Sequence, residues 1–137
     1  MNPNATHMKS LIEKERLRHM ENEGFAFIPN RFLRKGFFAS LDANERSLYF
    51  LLILASDRRG LSYYHYDTLC SILECPLHDY IEARDRLIKK DLIAFDGSRF
   101  QVLSLPRQPV LLEKHSEPSE VRNAILHTLR ATHADHE

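Results

Sequence analysis

The sequence predicts a mainly α fold with a small β-hairpin, carrying helical extensions at its N- and C-terminal ends. Three observations predict it. An apolar helix signal opens at Ser40-Leu41-Asp42, two shorter helical periodicities flank Cys75-Pro76, and two strand-like runs bracket Asp96-Gly97. At 137 residues the chain accommodates one compact domain plus extensions. We divide it into an N-terminal helix with an aromatic and basic lead (1–40), a central domain (41–105) and a Pro-containing linker with a C-terminal helix (106–137).

Residues 8–22 (MKSLIEKERLRHMEN) are highly charged and lack Pro and Gly, which predicts a helix ending at Gly24. Leu11, Ile12 and Met20 give it only a thin apolar stripe, so it is expected to be frayed or to depend on a partner surface. Residues 25–29 (FAFIP) alternate around aromatics and predict a short extended segment closed by Pro29. Residues 31–38 (RFLRKGFF) mix cations with aromatics.

Asp42 stands at an N-cap position, and Glu45 three residues later completes a capping-box pattern. The helix is expected to run to about Asp57, with Gly60 as its stop. Its centre at 48–55 (LYFLLILA) is apolar nearly all round and needs cover on more than one side. That cover is expected from a terminal extension or from a second copy across a two-fold homodimer.

Residues 61–64 predict a short strand. From His65 to Glu74 the spacing of Leu69, Ile72 and Leu73 is helical, with Cys70 as a small inner neighbour, and Cys75-Pro76 breaks it. A third helix is expected over 77–90, with Tyr80, Ile81, Ala83, Leu87 and Ile88 facing inward. The runs LIAF (92–95) and FQVL (100–103) flank Asp96-Gly97-Ser98-Arg99, a hairpin signal because tight turns need positive φ. Pro106, Pro109 and Pro118 mark a linker, and Val121, Ile125 and Leu129 share one face of a helix expected over 119–133.

Composition excludes several functions. Two cysteines make neither a disulfide framework nor a zinc set, and Cys70 and Cys75 lack CxxC spacing. They are expected as a core residue and a turn residue. His133 and His136 beside Asp135 have possible ligand spacing, but they sit in a tail where adventitious histidines are the expectation, so no metal site is assigned. None of the four glycines builds a phosphate-cradling loop, and no Ser/His/Asp or Cys/His set is in context. No catalytic residue, no cofactor and no enzyme activity are expected. The longest apolar run is eight residues, where a membrane span needs about 20. No secretory leader pattern opens the chain, so a cytoplasmic protein without membrane contact is expected.

The order helix, short strand, helix, turn, helix, strand, turn, strand is that of a known family. The segment YDTLCSILECPLHDYIEARDRLIKKDLIAFDGSRFQVL resembles the winged helix-turn-helix family. Cys70 is the small residue inside the first helix of the pair, Cys75-Pro76 is the break, and Leu87 precedes the ending Lys89-Lys90-Asp91-Leu92-Ile93. Asp91 stands where that family often has Gly, a mild departure because Asp tolerates the left-handed conformation. With its FAFIP lead and apolar helix, the chain is similar to replication initiators and regulators of plasmids and other mobile elements. The resemblance spans roughly 65 residues, or roughly 80 with the lead. It implies a double-stranded DNA partner and a role in transcription regulation or DNA replication.

A major groove about 12 Å wide admits one α-helix. With Tyr80, Ala83 and Leu87 inward, His78, Asp79, Glu82, Arg86 and Lys89 are expected outward. Arg86 then pairs with guanine, Lys89 with phosphate, and Glu82 or Asp79 accepts from cytosine N4. Ser98 and Arg99 at the hairpin tip reach phosphate or the minor groove, and Ser62, Tyr64, His65 and Tyr66 offer hydroxyls, an imidazole and helix N-terminal amides. Phe37 and Phe38 beside Arg34 and Lys35 are expected as core aromatics rather than base-stacking platforms.

Charge keeps a second reading open. Nineteen Lys and Arg balance nineteen Asp and Glu, whereas nucleic-acid binders are usually basic. Residues 1–41 carry seven basic and four acidic side chains, but 42–105 carry eight and ten. Asp79, Glu82 and Asp85 make the third helix acidic, and Glu82–Arg86 and Asp85–Lys89 have i,i+4 pairing order. The alternative is therefore a protein-contact module, an accessory subunit of a recombination or replication complex. A basic stripe through Arg31, Arg34, Lys35, Arg58, Arg59, Arg86, Lys89 and Arg99 favours DNA; scattered cations around an acidic helix favour protein.

Overall fold

The computed structural model describes residues 10–20 and 24–113. Among these residues, four α-helices pack with one three-stranded antiparallel sheet. In chain order they are α1 (Arg31–Arg34), α2 (Ala43–Leu54), β1 (Leu61–Ser62), α3 (Tyr66–Leu73), α4 (Leu77–Lys89), β2 (Ile93–Phe95) and β3 (Phe100–Val102). The sheet order is β1-β3-β2, with Ser62 and Phe95 both paired to Phe100.

The start of α2 follows the local rule: the Asp42 carboxylate accepts the Glu45 N–H at 2.8 Å. Its end comes earlier than the sequence predicts. The Asp57 side chain accepts the N–H groups of Arg59 (2.8 Å) and Leu61 (3.0 Å), building a separate turn into β1. Gly60 belongs to that turn, at φ +84°, where a Cβ would lie 2.7 Å from the Val102 carbonyl oxygen. It therefore allows β1 to approach β3 and does not stop α2.

Leu48, Tyr49, Leu52 and Ile53 of α2 are buried on two sides. On one side lies α4, through Tyr80, Ala83 and Leu87. On the other, the Phe32 ring sits 5.3 Å from Tyr49 and 6.0 Å from Phe50, centre to centre. Phe37 is buried in the same cluster, as expected of a core aromatic. Arg31 fastens this lead by donating to the carbonyls of Leu105 (2.7 Å) and Pro106 (2.9 Å). The chain's own lead, the first of the two expected sources, thus supplies cover, and the core runs across the 40/41 boundary.

Helices α3 and α4 end alike. After α3, Glu74 takes φ +53°, with Cys75 N–H on the Cys70 carbonyl and Glu74 N–H on that of Ser71. After α4, Asp91 takes φ +62°, with Leu92 N–H on Leu87 and Asp91 N–H on Ile88. Asp91 thus adopts the left-handed conformation its position called for.

Several expectations are corrected. Within 10–20 the only helical element is a 3-10 turn, Lys14–Arg16, and Ile12 is 99% exposed. Of the thin stripe of the helix expected over 8–22, Met20 is also exposed and Leu11 half-exposed, and an isolated helix of that length is marginal in water. Ile72, Ile81 and Ile88, expected inward, are exposed because Leu69, Tyr80, Ala83 and Leu87 already fill the interior. The helix expected over 119–133, His133, Asp135 and His136 lie outside the described residues. Among the described residues no helix is long and apolar enough to cross a membrane.

Candidate interaction face

The strand order decides what meets on one face. Since Ser62 pairs with Phe100, the chain leaving β1 emerges beside the β2–β3 turn. Tyr64, His65 and Tyr66 at the start of α3 therefore stand next to Gly97 and Ser98, with α4 alongside. Between them opens a groove of about 310 Å³. From α4 it is lined by Leu77, Tyr80, Ile81 and Arg84, and from the strands by Phe95 and Phe100.

Aromatic packing shapes the groove. Phe95 and Phe100 stack at 4.3 Å, and the Arg84 guanidinium lies 5.2 Å from the Phe95 ring centre and 5.8 Å from that of Tyr80. Asp85 holds Arg84 there at 3.0 Å, so the acid pairs with its chain neighbour instead of the expected Lys89. Tyr64 and Tyr66 stand exposed at the rim, and Leu77 and Ile81 present apolar surface from α4.

Helical spacing predicts Arg86 outward; the structure turns it inward, with a side chain only 14% exposed. Glu45 is the cause. Its carboxylate is 1% exposed and lies between the Lys90 ammonium and the Arg86 Nε, the latter at 3.3 Å. Lys90 also donates to the Ser40 carbonyl at 2.6 Å. A carboxylate withdrawn from water needs charged or hydrogen-bonding partners, and α4 supplies two on the flank facing α2. Arg86 thus faces α2 and not outward as expected. Asp79 is half-buried and within 3.0 Å of His78 Nε2.

Of the α4 residues expected outward, His78, Glu82 and Lys89 are exposed, with the Arg84-paired Asp85 half-buried beside them. At the hairpin, Ser98 and Arg99 are exposed. The Asp96 carboxylate accepts the backbone N–H groups of Ser98 (2.9 Å) and Arg99 (2.7 Å) and the Arg99 Nε (3.0 Å). Those two backbone hydrogen bonds, then the Arg99 side chain, hold its carboxyl well below the usual range, at about 2. Asp67 takes the Thr68 amide at the start of α3, where a phosphate was expected to sit.

Several of the cations expected in a basic stripe have partners within the fold. Arg31 is spent on Leu105 and Pro106, Arg86 on Glu45 and Arg99 on Asp96. Arg58 and Arg59 precede β1, at the end of the strand away from the hairpin tip. Leu77, Ile81 and Arg84 were missed as surface-forming residues. Their signal was a surplus: α4 carries a second apolar line through 77, 81 and 88 beside the one that fills the core.

Among the described residues no group of three or more His, Cys, Asp or Glu is placed to hold a metal ion. Compared with protein-family models, curated proteins and solved structures, the chain matches none.

Proposed function

We propose that the chain is a winged helix module whose helix-turn-helix face docks a protein segment bearing an apolar or aromatic anchor. The groove carries this reading. Its lining is mostly apolar and aromatic, with the Arg84 guanidinium set among those rings. Affinity for duplex DNA rests on several cations meeting phosphates at once, and two of the expected ones, Arg86 and Arg31, are turned into the fold. Affinity for protein rests on a few large side chains buried in a water-excluding pocket, which the groove provides. The resemblance to replication initiators and regulators supplies the setting, an accessory part in a DNA replication or recombination assembly.

The test pairs two measurements on the full chain. Selection from a phage-displayed random peptide library is expected to enrich peptides that share a Phe, Trp or Leu anchor. Ile81→Glu places a charge in the groove and is expected to weaken the selected peptides on the order of 30-fold, a hot-spot loss of about 2 kcal/mol. Labelled random duplex is expected to stay unbound at low salt. No enriched motif, or enrichment indifferent to Ile81→Glu, overturns the reading.

One observation favours a second reading, double-stranded DNA. The start of α3, the outward side of α4 and the 96–99 turn share one side of the molecule, as phosphate and groove contacts require. Tyr64, His65, Tyr66, His78, Lys89, Ser98 and Arg99 would then be the contacts. Its signature is duplex binding that falls with salt and loses about one unit of salt slope in Lys89→Ala and again in Arg99→Ala.

A further inference from the structure

The end of α3 brings the two cysteines together. Glu74 takes the left-handed conformation, Cys75 N–H reaches the Cys70 carbonyl at 3.2 Å, and Glu74 N–H reaches that of Ser71 at 3.3 Å. This pair of bonds ends many helices. In it, the side chain just after the left-handed residue folds back onto the one three positions before the helix's last residue, ordinarily as an apolar contact. Here both positions hold cysteine. The turn thus sets the two side chains side by side, Cys75 being near enough to add to burial in pushing the Cys70 thiol up, and both are partly exposed. The spacing is not that of a CxxC motif, so only the helix ending reveals the pair.

We propose that Cys70 and Cys75 form a reversible dithiol–disulfide pair that staples the end of α3 to the start of α4. The oxidant is a low-molecular-weight disulfide such as oxidised glutathione. Cys75 gives its proton to water, and its thiolate attacks one glutathione sulfur. The oxidant's S–S bond breaks and one glutathione leaves as a thiolate that takes up a proton. Cys70 then loses its proton, attacks the Cys75 sulfur of the mixed disulfide and expels the second glutathione. Two protein thiols are oxidised to one disulfide, and one small disulfide is reduced to two thiols. The order follows from environment: burial first, then the neighbouring Cys75, pushes the Cys70 thiol up, which suits it to the second, intramolecular attack. The backbone needs little rearrangement, because the turn already holds the two residues in register. The proposal is independent of what the groove binds.

The full chain is equilibrated with mixtures of reduced and oxidised glutathione, alkylated and weighed by mass spectrometry. The expected product has lost two hydrogens, resists alkylation at both cysteines, gives a Cys70–Cys75 linked peptide and reverts with dithiothreitol. Amide exchange at Glu74 and Cys75 is expected to slow on closure. Cys70→Ser is expected to stop at a stable glutathione adduct on Cys75. Glutathione persisting on either cysteine of the unaltered chain overturns the proposal. So do disulfide-linked dimers, or two thiols that stay alkylatable in excess oxidised glutathione.

Discussion

A carboxylate taken out of water loses several kcal/mol of hydration, and Glu45 regains it from Lys90 and Arg86 on the facing helix. Removing one member of such a set costs more than the set contributes, since a buried charge is left behind. Glu45→Leu strands the Lys90 ammonium with only the Ser40 carbonyl and is expected to destabilise by about 3–5 kcal/mol. Lys90→Met is milder, because Arg86 still faces Glu45. The double variant Glu45→Leu/Lys90→Met is expected to recover most of the loss, Arg86 being close enough to solvent to hydrate. Urea unfolding with an unchanged slope measures all three; a loss below about 1 kcal/mol in Glu45→Leu would remove the cluster from the account. Asp42 and Asp91 were legible in the sequence because cap and left-handed positions obey rules a few residues long. Arg86 was not, because the residue that captures it is 41 positions away.

At the scale of elements, the hairpin and the helix pair follow their local signals, whereas the faces of α4 do not. Tyr80, Ala83 and Leu87 predict the buried stripe, but periodicity cannot rank two adjacent apolar lines, and only the packed structure shows that Ile81 and Ile88 are left outside. In the hairpin, Asp96 organises the turn through its carboxylate, which links turn stability to pH. A carboxyl depressed to about 2 stabilises the folded turn fully above its unfolded value near 3.9; that contribution fades as pH falls through about 2. An NMR titration of the Asp96 carboxyl carbon is expected to show a midpoint near 2, with Ser98 and Arg99 amide shifts following it. In Asp96→Asn those amide shifts should no longer titrate. A midpoint at the ordinary carboxylate value would mean that the turn bonds do not form in solution.

For the whole molecule, the apolar centre of α2 announces that it needs two covering surfaces without saying which segments supply them. The structure gives one to α4 and the other to the lead, so folding depends on residues before Leu41. Phe32 stacks near Phe37, Tyr49 and Phe50, and Phe37 is 1% exposed. Truncating one buried Phe to Ala typically costs about 3–5 kcal/mol, while a domain of this size is stable by about 5–15 kcal/mol. Deleting residues 1–40 removes both rings, the Arg31 bonds to Leu105 and Pro106, and the cover over Tyr49. A chain of residues 41–105 is therefore expected to be unfolded or molten at 25 °C. A chain of residues 24–113 keeps the lead and is expected to melt cooperatively near the full-length temperature. Circular dichroism melts of the three chains, with sedimentation to detect association, decide the point. A cooperative, monomeric 41–105 melting with the others would show that the aromatic lead only rests on α2; a 41–105 chain that folds solely as a dimer would show the exposed α2 face recruiting a second copy in its place.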